Sequence, residues 1–235
     1  MSMTEGKLDI SCIVFIGRTF DEYMRMFNLT KEELLGKKIL DCPAGACSFT
    51  STANQLGLDV TAADIAYYYD CEQLLEKGSQ DLELAMKSME KVKDNYLWDY
   101  FKSISELKKQ RTMAYSECIR DMEQSPNRYV PAVLPNLPFG DKLFDITLSA
   151  HFLFMYADRL DYKFHLQTIQ ELIRITKQEV RIFPLVDLSC KRYQHLDDLM
   201  DLLTQRGYKL EEAEVPYEFH KGANSLLKIK LFEDF

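Results

Sequence analysis

The chain has one tryptophan, nine glycines and four histidines in 235 residues, and each scarcity excludes something. Nowhere does an uninterrupted apolar run approach the about 18 residues that crossing a bilayer requires, so no membrane span is expected. The apolar run Ile10 to Ile16 is too short, and the residues before it (Glu5, Lys7, Asp9) carry no net positive charge and no clear cleavage pattern. A secretory leader is therefore not expected, and a cytoplasmic location is. Basic side chains are also in deficit, 29 Lys+Arg against 37 Asp+Glu for a net charge of −8. Such a chain has no overall electrostatic reason to seek nucleic acid or an anionic membrane, Lys108, Lys109 and Arg111 being the local basic patch. The four histidines lack metal-ligand spacing, and Cys42/Cys47 has neither a second cysteine pair nor a nearby histidine, so no metal site is expected. The six cysteines (Cys12, Cys42, Cys47, Cys71, Cys118, Cys190) are scattered, and in this setting read as reduced thiols.

What is present is 46% hydrophobic content, enough for one α/β domain spanning 1–235. Its organising stretch is Lys38 to Asp64, KILDCPAGACSFTSTANQLGLDVTAAD. Ile39 and Leu40 run into Asp41 as a strand, and Pro43, Ala44, Gly45 and Ala46 keep the following turn narrow. Phe49 to Leu56 continues at helical spacing, Gly57 breaks it, and Val60 to Ala63 forms a second strand ending on Asp64. A carboxylate at a strand's C-terminal end, at the mouth of an α/β sheet, suits a ribose diol, which needs a bidentate acceptor. This edge is therefore read as handling a nucleoside-bearing cofactor.

Before that stretch, Thr19/Glu22 and Thr30/Glu33 have capping-box spacing and predict two short helices laid against the sheet. After it, Ala66 to Asn127 (66–127) is polar, with apolar residues at three and four spacing, and predicts a helical insertion. Connections in such folds take a few residues, so an excursion of roughly sixty is expected to be a lid or, equally, a homodimer interface. Its aromatic knot Tyr96, Trp98, Tyr100 and Phe101 is read as a docking point for the appended helices or as a pocket wall, and Tyr67-Tyr68-Tyr69 lies near the cofactor edge. Prolines from Pro131 to Pro138 mark a loop or short edge strand. Then follow a strand over Leu143 to Ala150, a helix over Asp161 to Thr176, a strand over Glu179 to Leu188 and a helix over Leu196 to Gly207. Two final strands, Tyr208 to Tyr217 and Ser225 to Phe232, have no helix between them and are expected to be antiparallel neighbours.

That order, with ILDCPAGACSF and LPNLPFGDKLFDITLSAHFLFMY, resembles the class I S-adenosylmethionine-dependent methyltransferase family, and among its members bacterial methyltransferase-like proteins with a helical insertion. The resemblance implies a three-layer, doubly wound, mostly parallel Rossmann-like sheet with an antiparallel terminal strand, and S-adenosyl-L-methionine as cofactor. It places Asp41, Pro43, Ala44 and Gly45 in the turn at the cofactor's amino-acid part and Asp64 on both ribose hydroxyls. It places Ile65, Val133, Leu134, Ser149 and His151 around the rest of the cofactor. Where the family often has three glycines this chain has Pro43, Gly45 and Cys47, and Ala132-Val133-Leu134 offers no carboxylate to adenine, so the base would be held by backbone groups and packing. A sulfonium carries positive charge and needs little from a helix dipole, which makes the incomplete glycine pattern less damaging than for a dinucleotide.

His151 follows a strand at the sheet's C-terminal edge and is the candidate general base. His220 and Asp187 are secondary candidates for bordering the acceptor, while His165 and His195, on helices, are expected to be partly exposed. The leading expectation is a methyltransferase with a small-molecule acceptor. The alternatives are a non-enzymatic protein binding S-adenosylmethionine or S-adenosylhomocysteine, and an NAD-dependent oxidoreductase.

Overall fold

Thr19 and Thr30 each open a short helix in the computed structural model, which describes residues 13–231. Each accepts from the backbone N–H three residues on, while Glu22 and Glu33 bond back to the cap. The helices are α1 (Phe20–Met26) and α2 (Lys31–Leu34). Cys12, the start of the Ile10–Ile16 run and Phe232 lie outside the described residues. β1 (Lys38–Asp41), α3 (Phe49–Gln55) and β2 (Asp59–Asp64) then form the strand-turn-helix-strand unit.

After β2 the chain runs through a pair of 21-residue helices, α4 (Cys71–Lys91) and α5 (Ile104–Gln124), capped by Asp70 and Ser103. The chain returns through the short edge strand β3 (Tyr129–Pro131) to β4 (Phe144–Ala150), α6 (Tyr162–Ile175), β5 (Thr176–Phe183), α7 (Leu196–Gln205), β6 (Lys209–Glu214) and β7 (Ser225–Lys230). Among the described residues these strands make one sheet in the order β3-β2-β1-β4-β5-β7-β6. β1 to β5 pair in parallel, and β7 runs antiparallel to both β5 and β6. This is the expected mostly parallel, doubly wound sheet with an antiparallel terminal strand.

Alternation along the strands fills two cores. Ile39, Val60, Ile146 and Leu148 face the layer with α1, α3, α4 and α5, while Leu40, Ala63, Val180 and Ile182 face α6 and α7. Helices on both faces explain why these strands are apolar on both sides. The direction of winding reverses between β1 and β4, and the crevice beyond their C-terminal ends is where such sheets bind ligands.

Three expectations need correction. β5 ends at Phe183, before Pro184, because proline cannot donate to the ladder. Asp187 therefore sits past the strand in a turn, its Oδ1 accepting from the N–H groups of Ser189 (2.7 Å) and Lys191 (3.1 Å). His165 is fully buried in α6, its Nε2 2.9 Å from the Leu153 carbonyl and its Nδ1 3.0 Å from the Tyr193 hydroxyl.

Candidate functional site

Beyond the ends of β1, β2 and β4 the chain encloses a cleft of about 480 Å³. Its floor is the turn after β1, which passes close under neighbouring backbone. Gly45 has φ +56°, a left-handed conformation that costs glycine nothing. At Gly17 an added Cβ would lie 2.1 Å from the Ala46 carbonyl oxygen, so only glycine lets the incoming chain cross the turn. Arg18 is tied to the same turn, its N–H donating to Cys47 Sγ (3.3 Å) and its carbonyl accepting from Ser48 N–H (3.0 Å).

Asp64 closes the turn from β2. Its Oδ2 accepts from Gly45 N–H and its Oδ1 from Ala66 N–H, both at 2.8 Å. Tyr67 adds a third tie, its hydroxyl donating to the Gly45 carbonyl at 2.8 Å. Burial raises the pKa of the Asp64 carboxyl from its ordinary value, and the two backbone donors oppose that shift. A carboxylate offers about four lone-pair sites, so two remain for a ligand. Beside it Ile65 and Val133 line the mouth of the cleft while 59% and 46% exposed, and Leu134 and Tyr69 complete the apolar shelf.

The structure thus brings Pro43, Ala44, Gly45, Asp64, Ile65, Val133, Leu134 and His151 to one cleft. Asp41 and Ser149 do not line it. Asp41 is fully buried, its Oδ1 accepting from the Tyr23 hydroxyl at 3.0 Å; burial and the nearby Asp64 charge push its pKa well above the carboxylate range, favouring the neutral acid. Ser149 is buried in β4, its Oγ without a partner among the described residues.

His151 follows β4 with φ +50°, its N–H donating to the Phe183 carbonyl at 2.6 Å. A non-glycine residue held there is the kind of strain that gathers at functional sites. Burial, with Arg18, Arg111 and His220 adding to it, pushes its pKa well below the ordinary imidazole value, so the ring is neutral at pH 7. The opposite wall comes from α4, α5, the segment joining them and the β6–β7 loop. Met86, Met89, Tyr96, Leu107 and Arg111 face Tyr217, Phe219 and His220. Trp98 does not line the cleft; it packs edge-on against Phe219 at 5.3 Å and donates to the Lys93 carbonyl, so within the aromatic knot it serves docking. Tyr68 lies outside as well, and His195 is partly exposed, as expected, at the start of α7.

Sequence reading did not single out Arg18 or Glu22 for the site, and took Arg111 only as part of a surface patch. Arg111 makes a bidentate pair with the fully buried Glu22 (2.5 and 2.8 Å), which also accepts from the Tyr217 hydroxyl at 2.8 Å. These contacts join residues 89 and 195 positions apart, a separation no local motif reports. Among the described residues there is no group of three or more metal-ligating side chains and no helix long and apolar enough to cross a membrane.

No protein-family model matches the chain. It is 38% identical over 224 residues to the uncharacterized protein MJ0045 of Methanocaldococcus jannaschii, covering 95% of this chain and 98% of that protein. Among solved structures it is similar to a SAM dependent methyltransferase from Aquifex aeolicus (13% identity, 89% of this chain and 93% of that one, TM-score 0.42). It is also similar to magnesium protoporphyrin IX methyltransferase from Synechocystis with bound SAM (12%, 90% and 90%, TM-score 0.45) and to Streptomyces venezuelae DesVI (10%, 89% and 90%, TM-score 0.49). At such identities and scores these structures assign nothing to individual residues.

Proposed function

The chain belongs to the family of the archaeal protein MJ0045, and from the cleft it builds we propose that it is an S-adenosylmethionine-dependent methyltransferase acting on a small-molecule acceptor. The observation that carries this reading is Asp64, a carboxylate at the mouth of the switch-point crevice with two lone-pair sites left over after its backbone bonds. Those sites suit the two ribose hydroxyls. The apolar shelf of Ile65, Val133 and Leu134 beside it suits adenine, held by packing and backbone groups.

At the other end of the turn, Arg18 lines the cleft with its Nε buried and without a partner among the described residues. A fixed cation there fits the carboxylate of the cofactor's methionine part. When bound, the cofactor supplies an electrophilic methyl group on a sulfonium. The chain's own task is to align an acceptor with that methyl in a dry pocket and to take the acceptor's proton. His151, neutral and half-buried at the end of β4 with its Nδ1 out of solvent, is the group we assign to the proton. The insertion supplies the apolar wall that excludes water, which is the lid role.

Thermal unfolding with S-adenosylhomocysteine, S-adenosylmethionine or NAD tests the reading. At ligand near 100 times Kd the stabilisation is about 2.7 kcal/mol, a shift on the order of 5–10 °C for a chain of this size. A shift with the sulfur ligands and none with NAD is expected. No shift with either sulfur compound sinks the proposal, and a shift with NAD alone would favour an oxidoreductase.

A further inference from the structure

Seven buried side-chain polar atoms lack a partner among the described residues, and three of them, on Arg18, His151 and His220, belong to residues lining the one cleft. Buried polar atoms are nearly always satisfied, so such a concentration asks for a ligand. Arg18 is accounted for at the cofactor's methionine end and His151 by the acceptor's proton; His220 is not.

His220 is held from several sides. Leu97 N–H donates to the Phe219 carbonyl (2.7 Å), and Lys221 N–H donates to the Asn95 carbonyl (2.9 Å), pinning the β6–β7 loop to the insertion. The Tyr96 ring lies 5.1 Å from the imidazole. On its other side Cys190, at φ +61° in the loop after β5, brings Sγ to 3.0 Å from His220 Nε2, and Sγ is 3.9 Å from the Asn95 carbonyl. Burial lowers the imidazole to about 4 and raises the thiol, so both are neutral at pH 7. Between neutral partners the thiol's single proton goes to the imidazole nitrogen, the nearer acceptor at 3.0 Å against 3.9 Å for the Asn95 carbonyl, because sulfur is a weaker acceptor than that nitrogen. That bond places the ring's proton on Nδ1, the atom left without a partner. Cys190 thereby acts on the site through His220, as outer groups orient functional imidazoles elsewhere.

We infer that His220 Nδ1–H, held in that tautomer by Cys190, receives the oxygen of an acceptor that is a phenol or enol on a flat apolar body, with its hydroxyl proton passing to His151. This rests on the methyltransferase reading and deepens it. The chemistry selects the class. A hydroxyl oxygen both accepts from His220 and gives its proton to His151. An ammonium has no lone pair to accept with. A thiol is a weak acceptor. Met86, Met89, Tyr96, Phe152, Met155 and Phe219 line the same cleft with apolar and aromatic surface suited to a flat body.

The test measures equilibrium binding of three probes to the protein saturated with S-adenosylhomocysteine: 4-nitrophenol, 4-nitroaniline and nitrobenzene. The phenol should bind about 10- to 100-fold tighter than either isostere, the range a hydrogen bond to a charge-developing oxygen supports. His220→Phe should erase that preference. Cys190→Val should erase most of it while Cys190→Ser, which keeps a donor, retains it. Nitrogen-15 shifts of the imidazoles, read without any ligand, should show the Nδ1–H form of His220 in the wild type and Cys190→Ser, and a mixture of tautomers in Cys190→Val. Equal affinity for the three probes, no binding of any of them to the complex, or a preference untouched in both His220→Phe and Cys190→Val overturns the inference. Failure of S-adenosylhomocysteine itself to bind strikes instead at the methyltransferase reading, and the tautomer measurement stands apart from it.

Discussion

Replacing Arg111 by methionine is expected to destabilise the protein severely at neutral pH and only mildly in acid. Arg111 is 4% exposed and Glu22 is wholly buried, joined by two hydrogen bonds at 2.5 and 2.8 Å. Removing one partner of a buried pair leaves an uncompensated charge and costs about 3–5 kcal/mol. For a domain of this size that is a fall in melting temperature of roughly 6–20 °C. The pH dependence identifies the cause. In the wild type burial pushes the Glu22 carboxyl up, but Arg111, its hydrogen bonds and the Thr19 N–H more than offset this, so the folded pKa lies below 4.5. The contribution is therefore present above pH 4.5 and is lost as pH falls through the folded value. Without Arg111 desolvation wins and the folded pKa rises above 4.5, so the carboxyl now costs stability as pH climbs from 4.5 through that raised value. The gap between variant and wild type should be widest near pH 7 and narrow toward pH 4. Urea unfolding at several pH values measures it. A deficit that does not change with pH would refute the reasoning, since lost packing of Arg111 on Phe101 (5.0 Å) would then be sufficient.

Other expectations follow from the same geometry. Gly17→Ala sets a Cβ against the Ala46 carbonyl, so calorimetric melting should show a loss of several degrees and S-adenosylhomocysteine affinity should fall, because the turn must shift. Asp41→Asn should raise the melting temperature at pH 7 by about 2–4 °C for each kcal/mol recovered. The native state holds the Asp41 proton while the unfolded chain releases it above about pH 3.9, so the carboxyl costs stability as pH rises from there, and the advantage of asparagine should fade on acidification. Once an acceptor is in hand, His151→Gln should lower turnover by about 10²- to 10⁴-fold while leaving S-adenosylhomocysteine affinity within a few-fold. Full activity in that variant would remove His151 from the proton's path.

The framework was legible because its signals are local. The Thr19/Glu22 and Thr30/Glu33 boxes, the narrow turn between Asp41 and Phe49, and the terminal strands without a helix between them all appear where their spacing puts them. Pro184 was an available signal for the end of β5, and reading the apolar run through it misplaced Asp187. The burial of His165 was not legible, since it depends on Leu153 and Tyr193, brought in by the fold. The same holds for the cleft's charges. Arg18 gains its place only because Gly17 lets the chain cross the turn at Ala46, and Cys190 meets His220 across thirty residues of sequence.

The most direct test of the cofactor assignment is calorimetric titration of S-adenosylhomocysteine into the wild type and into Asp64→Ala, with unfolding of each checked in parallel because Asp64 also ties Gly45 and Ala66. One saturable site per chain is predicted, weakened by about 10- to 100-fold or lost when the carboxylate is removed. No binding to the wild type, or unchanged affinity in a folded Asp64→Ala, would contradict it.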